Sequence, residues 1–160
     1  MELTKATELA LSLMDKHDLS SWGFYMDNAK RRFGCCHYNT RSISLSKELV
    51  QANSEDRVKM TILHEIAHAL VGHGNGHNRI WKNKCLEIGG DGNRCYTTDN
   101  TNTIKGKWQY NCINCGRIVH RHRKIRKQLA CGRCCKKYNN NKWSLDYLLV
   151  PYNFNCKKIP

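Results

Sequence analysis

The chain has 160 residues, of which 40% are hydrophobic and only two are proline, a composition that excludes an intrinsically disordered protein. No run of residues approaches the roughly 18 apolar residues of a membrane span, and the first residues include acids instead of an apolar signal segment. We therefore expect a protein of a reducing compartment that makes no membrane contact. There, ten cysteines and eight histidines favour metal sites over disulfides.

The net charge of +14 is concentrated near the C-terminal end. Residues 1–103 hold 13 Lys and Arg against 12 Asp and Glu, whereas residues 104–160 hold 14 against the single acid Asp146. This shift in composition predicts one domain over 1–103 and a second, basic domain over 104–160. A strongly basic segment also indicates a polyanionic partner such as nucleic acid.

The first part of the chain predicts a helix followed by three strands. Apolar residues recur at helical spacing over residues 2–16. Alternation of apolar and polar residues over 22–27, and two similar short segments at 33–38 and 41–46, predict neighbouring strands with tight connections. Such an arrangement is typical of a small antiparallel sheet.

Two further helices and a long polar segment follow. Ser54 precedes two acids and therefore predicts the start of a helix that ends at Gly72. A second helix is predicted over residues 78–88. The polar residues 91–106 indicate a linker or long loop, and residues 143–150 are consistent with a strand that packs back on the basic domain.

The sequence His64-Glu-Ile-Ala-His68 falls within the helix that begins after Ser54. Histidines four residues apart lie on one face of a helix, so both imidazoles can reach one Zn²⁺, and Glu65 can reach the water bound to that metal. Zn²⁺ lowers the pKa of such a water to about 7, and a carboxylate can then accept its proton. We therefore predict a catalytic zinc site with Glu65 as general base.

The third protein ligand of this zinc is not fixed by the motif. The metzincin spacing is excluded because Val71 and Gly74 stand where that class has glycine and histidine. Three candidates remain, namely His73 directly after the helix, His77 at the start of the next helix, and Glu87 at about the distance of a gluzincin ligand. We favour His77, because the Gly-Asn-Gly spacer lets the chain turn and a helix terminus would orient the imidazole.

Two Cys-x-x-Cys pairs separated by 15 residues predict a second metal site. This spacing is typical of a zinc ribbon, in which four thiolates hold a structural zinc and leave no position for water. The predicted ligands are Cys112, Cys115, Cys131 and Cys134. Cys135 is an adjacent alternative to Cys134, but it breaks the two-residue spacing.

Residues 104–137 carry 11 Lys and Arg and no acid, and the densest run lies between the two cysteine pairs. Such a segment supplies salt-dependent contacts to phosphates. Aromatic residues that flank it can stack on unpaired bases. The predicted DNA-contacting residues are Arg117, Arg121, Arg123, Lys124, Arg126, Lys127 and Trp108.

Taken in order, these motifs resemble the SprT-like, or Spartan-type, metalloprotease domain followed by a zinc ribbon. The resemblance spans about residues 20–137. Besides the cysteine pairs, it is carried by Trp22-Gly-Phe24, Asn28-Ala-Lys-Arg-Arg-Phe-Gly34, Ile43-Ser-Leu-Ser46, His64-Glu-Ile-Ala-His-Ala-Leu70 and His77-Asn-Arg-Ile-Trp81.

The resemblance implies an α+β fold, in which a minigluzincin-like core of helices and a small antiparallel sheet precedes a small β zinc ribbon. It implies one catalytic zinc on His64, His68 and His77 with Glu65 catalytic, and one structural zinc. It also implies association with DNA, of single-stranded character, and cleavage of proteins bound or crosslinked to DNA. Many members have glycine after the third histidine, whereas this chain has Asn78, a good residue for a helix start.

We expect a monomer in the cytoplasm of a bacterium or virus-infected cell, or in the nucleus if the source is eukaryotic. Two other functions are compatible with the same motifs. One is a non-enzymatic zinc-ribbon protein that binds DNA as a regulator. The other is a protease whose ribbon recruits a protein, for which DNA affinity would be absent or would not depend on salt.

Overall fold

The computed structural model describes residues 1–95 and 101–152. The chain divides into two compact units, Met1–Ile104 and Lys105–Pro160. The elements of the first unit are α1 (Leu3–Lys16), β1 (Gly23–Asp27), β2 (Gly34–His37), β3 (Ser42–Ser46), α2 (Lys47–Ala52), α3 (Glu55–Val71) and α4 (Arg79–Glu87). The predicted helices and strands of this part are thus confirmed, and the structure also contains the short helix α2, which was not predicted.

The three strands form one sheet in the order β1-β3-β2. The antiparallel pairing expected of all three strands holds only for β2 and β3, because β1 runs parallel to β3. Alternation along a strand indicates which residues share a face, but it carries no information on strand order or direction. The central strand β3 is buried along its whole length, and β2 lies at an edge of the sheet.

The core of the first unit lies between this sheet and the helices α1 and α3. Val58, Ile62 and Ile66 recur every four residues, so one stripe of α3 faces the core. Ile43 and Leu45 of β3 contribute from the sheet. Because the core takes only one stripe of α3, the neighbouring face is free to carry the side chains of His64, Glu65 and His68.

Both ends of α3 are fixed by the residues that the sequence indicated. The Ser54 side chain accepts a hydrogen bond from the backbone N–H of Arg57, which satisfies one free donor of the first turn. Gly72 ends the helix with φ of 78°, a left-handed conformation that favours glycine. At the start of α4, the Asn78 side chain accepts from the backbone N–H groups of Ile80 and Trp81.

The second unit is built from β4 (Trp108–Cys112), β5 (Ile118–Arg121), α5 (Gly132–Tyr138), a 3₁₀ turn (Leu145–Tyr147) and β6 (Leu149–Pro151). Its sheet is antiparallel in the order β5-β4-β6, so the end of the described chain packs back on the basic unit as predicted, but the strand is shorter than the expected 143–150 and follows the 3₁₀ turn. Helix α5 was not predicted. The buried core consists of Tyr110, Cys112, Cys131, Cys134 and Leu149.

The molecule is therefore an α+β protein in which a helical core with a small sheet precedes a cysteine-rich unit compatible with a zinc ribbon. The longest helix, α3, has 17 residues and carries charged side chains. Within residues 1–95 and 101–152, no helix combines the length and apolar character that crossing a membrane requires.

Candidate metal centres

Three histidines of the first unit converge on one point. The Nε2 atom of His77 lies 3.0 Å from Nε2 of His64 and 3.1 Å from Nε2 of His68. Zinc–nitrogen bonds of about 2.0–2.1 Å in a tetrahedral site place the nitrogens about 3.3 Å apart, so this spacing fits one zinc ion. The three residues form a group that could hold a metal ion.

The convergence follows from the turn between α3 and α4. His64 and His68 lie one turn apart on α3, and Gly72 reverses the chain so that His77 returns over them. Trp81, which is 1% exposed, packs its indole ring 4.5–5.2 Å from the centroids of all three imidazoles. The indole Nε1 also donates to the backbone carbonyl of His64 at 3.4 Å. Trp81 therefore fixes α4 and the three rings relative to one another.

The environment keeps these imidazoles neutral. Burial, followed by the neighbouring histidines, lowers the pKa of His64 and of His68 to about 4. Burial and the positive charge of Arg94 lower the pKa of His77 in the same direction. A metal ligand must present an uncharged nitrogen lone pair, so the histidines are in the protonation state that metal binding requires.

Glu65 lies beside this group and is 7% exposed. Its carboxyl group packs against Gly34 of β2, where an added Cβ would stand 2.7 Å from Oε1 and from Cγ of Glu65. Burial raises the pKa of Glu65 to about 8, and a hydrogen bond to the Cys36 backbone and the charge of Arg32 oppose the shift. A dication in front of the carboxylate would oppose it further. The strand β2 thus sets the position of this side chain.

The three histidines and Glu65 face an open cleft with a volume of about 720 Å³. Strand β2 forms part of its wall, and the cationic residues of the wall are Arg31, Arg32, Arg57 and Arg94. This volume lies within the range of about 300–1,000 Å³ that is usual for ligand-binding clefts.

The other two candidates for a third ligand lie elsewhere. His73 borders the cleft, but its ring packs edge-on against Tyr38 with centroids 5.4 Å apart. Glu87 forms an exposed ion pair with Lys84 at 2.7 Å. Neither belongs to the groups of converging ligand atoms found among the described residues.

The four predicted cysteines of the second unit also converge. The Sγ atoms of Cys112 and Cys134 lie 3.8 Å apart, and those of Cys115 and Cys131 lie 4.0 Å apart. Zinc–sulfur bonds of about 2.3 Å give sulfur–sulfur distances of about 3.8 Å in a tetrahedron, so the group fits one zinc ion. Cys135 is buried but lies outside the group, although it adjoins Cys134 in sequence.

Hydrogen bonds from neighbouring groups reach two of the sulfur atoms at this site. The Asn114 side-chain amide donates to Cys134 Sγ at 3.6 Å. A hydrogen bond from the backbone of Arg117, followed by bonds with neighbouring thiols, lowers the pKa of Cys115 to about 7, whereas burial raises the pKa of Cys134 to about 12. Donors of this kind surround zinc thiolates and fix their orientation.

The predicted DNA-contacting cations are all exposed, and none of them forms an ion pair within the described residues. Trp108 is half-buried, with Lys107 Nζ and Lys124 Nζ 5.3 and 5.8 Å from the centroid of its ring. Tyr138 and Trp143 are instead 56% and 51% exposed. Tyr138 and Trp143 are therefore more accessible to a stacking base than Trp108, the residue that the sequence favoured.

A model of the SprT-like family matches residues 7–104. The chain belongs to the SprT-like family. Its match includes both histidines of α3, Glu65 and His77, and the predicted resemblance is confirmed. The SprT-like family is metalloprotease-like, so the first unit of this chain is a metalloprotease-type domain.

One relative is the germ cell nuclear acidic protein of Drosophila melanogaster, which is 30% identical over 105 residues. The alignment covers 60% of this chain but 10% of that protein. The chain therefore spans about a tenth of this relative's length, and the similarity concerns a domain.

Sequence reasoning assigned no role to Gly34, although it lies within a stretch that carries the SprT-like resemblance. The available signal was a glycine in a predicted strand, which often marks a close approach of another group. The structure shows that the approaching group is the Glu65 carboxyl.

Proposed function

We propose that this SprT-like chain is a zinc-dependent metalloendopeptidase that associates with DNA and cleaves proteins bound or crosslinked to DNA. The observation that carries the proposal is the convergence of three neutral imidazole nitrogens beside the buried carboxyl group of Glu65 in an open cleft. Residues 1–103 would perform the cleavage, and residues 104–160 would hold the nucleic acid.

In this proposal His64, His68 and His77 hold the catalytic zinc through Nε2. The zinc, when bound, polarises the peptide carbonyl and lowers the pKa of a water molecule to about 7. Glu65 accepts the proton of that water on its carboxylate and later delivers it to the nitrogen of the leaving amine. Glu65 is buried and packs against Gly34, and such packing limits the movement of a group that must receive and return a proton.

For the second unit, we propose a structural zinc on the four cysteines and a nucleic-acid surface around it. The support is the set of exposed cations at residues 117–127 and the exposed rings of Tyr138 and Trp143. Phosphate contacts would supply salt-dependent affinity, and the rings would favour unpaired bases. The name of the Drosophila relative is that of a nuclear protein, which supports DNA association and a nuclear location in a eukaryotic source.

The test is a cleavage assay on a DNA-bound basic protein, with and without single-stranded DNA and with and without zinc. We expect zinc-dependent cleavage by the wild type and a loss of about 10²–10⁴-fold for Glu65→Gln, because general base catalysis contributes about that factor. The variant should still bind two zinc ions per chain. Undiminished cleavage by Glu65→Gln would contradict the mechanism.

Matched variants identify the third ligand. His77→Ala should lose one zinc ion and all cleavage, whereas His73→Ala and Glu87→Gln should retain both. If no condition yields zinc-dependent cleavage while DNA binding persists, the chain is a DNA-binding regulatory protein without enzymatic activity. If DNA binding is absent, the ribbon recruits a protein.

A further inference from the structure

The turn that follows α4 returns to α3 next to His64. Gly89 and Gly92 adopt positive φ of 90° and 64°, and the Gly90 N–H donates to the carbonyl of Cys85 at 2.7 Å. This brings Asp91 and Asn93 to the wall of the catalytic cleft, in the same lining as His64. The turn is therefore a neighbour of the metal group, although it contributes no ligand to it.

Asp91 contacts α3 through one carboxylate oxygen and its own turn through the other. Its Oδ2 lies 3.5 Å from the Arg57 guanidinium, two turns before His64 on the same face of α3. Its Oδ1 accepts the backbone N–H of Asn93 at 3.0 Å. The Arg57 side chain is only 10% exposed and its guanidinium also donates to Thr61, so the ion pair has a fixed position.

The Asn93 backbone lies beside His64 in the wall of the cleft, and it opposes the lowering of the His64 pKa by burial, as a carbonyl that accepts from the ring would. Because Nε2 of His64 points to the other two histidines, Nδ1 is the ring nitrogen left to donate to the Asn93 carbonyl. A donor bond at Nδ1 fixes the tautomer that leaves a lone pair on Nε2. The contacts thus run from Arg57 through Asp91 and Asn93 to His64.

We propose that Asp91 is a positioning residue of the zinc centre, which holds the turn so that the Asn93 carbonyl keeps Nε2 of His64 directed at the metal. The inference rests on the proposed zinc-binding role of the three histidines. Partners in this position typically change metal affinity by about 10–100-fold when they are removed. The ordinary alternative is that Asp91 only ties the turn to α3, in which case its loss lowers stability and leaves zinc affinity unchanged.

The experiment is a competition between the full-length protein and a zinc chelator, with zinc ions per chain counted by native mass spectrometry. His77→Ala serves as the one-zinc reference. Asp91→Ala is expected to lose the zinc of the three histidines at about 10–100-fold lower chelator concentration than the wild type. The zinc of the four cysteines should be lost at the same chelator concentration in both proteins. Glu87→Ala, which removes an exposed acid of α4, is the matched control and should behave as the wild type.

Asp91→Asn separates the two contacts of the carboxylate. Its amide oxygen can still accept the Asn93 N–H, while the ion pair with Arg57 is lost, so zinc affinity should fall less than in Asp91→Ala. Wild-type zinc affinity in Asp91→Ala with a lowered melting temperature would overturn the proposal, as would equal losses in the two variants.

Because the assay counts zinc and not cleavage, it is independent of the proposed peptidase activity. If Glu65→Gln left cleavage undiminished, the proposed mechanism would fail although Asp91 could still be shown to position His64. If the wild type bound a single zinc that His77→Ala did not remove, the zinc-binding premise itself would fail.

Discussion

The two units use their candidate metal ligands in opposite ways. In the first unit, twelve buried residues form a hydrophobic core that contains none of the three histidines. In the second unit, three of the five buried core residues are the cysteines of the metal group. The zinc of the first unit would therefore bind beside a hydrophobic core that forms without its ligands. The zinc of the second unit would bind within the core itself, where there are too few apolar side chains to form a core alone.

Because of this difference, we expect zinc to contribute to folding in the second unit and to chemistry in the first. A structural zinc bound by a chain that lacks a preformed site contributes its binding free energy to folding, on the order of 10–16 kcal/mol. In the first unit, α3 packs through its apolar stripe, and the three histidines are not part of that core. Zinc there would be needed for chemistry and not for folding.

Metal removal is the largest expected test of this contrast. Excess chelator should unfold the second unit and leave the first folded, because only the former depends on its metal for a core. Far-UV circular dichroism at 222 nm should keep most of its helical signal, since α1, α3 and α4 belong to the first unit, while limited proteolysis should cut after residue 104.

Neighbouring cysteines provide the control for this prediction. Cys134→Ser should have the effect of chelation on the second unit, whereas Cys135→Ser should retain both zinc ions and the folded unit, because Cys135 is buried outside the ligand group. A loss of helical signal on chelation would show that the first unit also depends on its metal.

A folded, metal-free first unit should show the effect of the buried Glu65 on stability. Its folded-state pKa of about 8 lies above the ordinary value of 4.5, so the stability tied to this carboxyl is present below about pH 4.5 and is lost as the pH rises through 8. Each pKa unit corresponds to about 1.4 kcal/mol, so Glu65→Gln should be more stable than the wild type by a few kcal/mol at about pH 9.

Thermal unfolding in chelator, followed at 222 nm across this pH range, measures that difference. Glu87→Gln removes an exposed carboxylate and is the control. His64 and His68 act in the opposite direction in both proteins, since their lowered pKa values reduce stability as the pH falls from about 6.5 towards 4. Curves for the wild type and Glu65→Gln that stay parallel from pH 5 to 9 would contradict the prediction.

Gly34→Ala should damage catalysis without removing metal. The new Cβ would stand 2.7 Å from the Glu65 carboxyl, and the cheapest relief is to displace that side chain. A displacement of about 1 Å can cost on the order of 10²-fold in rate, so we expect such a loss in kcat with two zinc ions retained.

Gly23→Ala is the matched control for Gly34→Ala, because it lies in the same sheet and its added Cβ would make an ordinary 3.5 Å contact with Ser42. That variant should cleave at the wild-type rate. Equal activity in the two variants, or zinc loss in Gly34→Ala, would show that β2 does not position Glu65 in the proposed way.

The smallest expected effect concerns the aromatic rings of the second unit. Trp143→Ala should weaken binding of single-stranded DNA by about 1–3 kcal/mol, the contribution of one stacked base, as measured by fluorescence anisotropy at fixed salt. Trp108→Ala should weaken it less, because the Trp108 ring is half-buried and two lysines lie near it. The reverse order would restore the sequence-based choice of Trp108 as the stacking residue.

The features that the sequence predicted are those encoded over short distances. Ser54 and Gly72 mark the ends of α3, and spacing within that helix places His64 and His68 on one face. Two Cys-x-x-Cys pairs similarly indicate a ligand group, because each pair is a local structure.

The features that escaped prediction depend on the path of the chain through space. Strand order in the first sheet depends on a connection whose direction no local pattern reveals. The roles of Gly34 and Asp91 depend on contacts with α3 from elements more than 20 residues away in sequence.

The position of Trp81 has a consequence for protein design. The indole touches all three imidazoles and also belongs to the apolar contact, with Ala67 and Cys85, that joins α4 to α3. A scaffold that received only the His64–His68 helix would gain two ligands whose rings rotate freely and a third position with nothing to orient it. Transplanting this centre into another protein therefore requires the α3–turn–α4 hairpin as one module, with the tryptophan included.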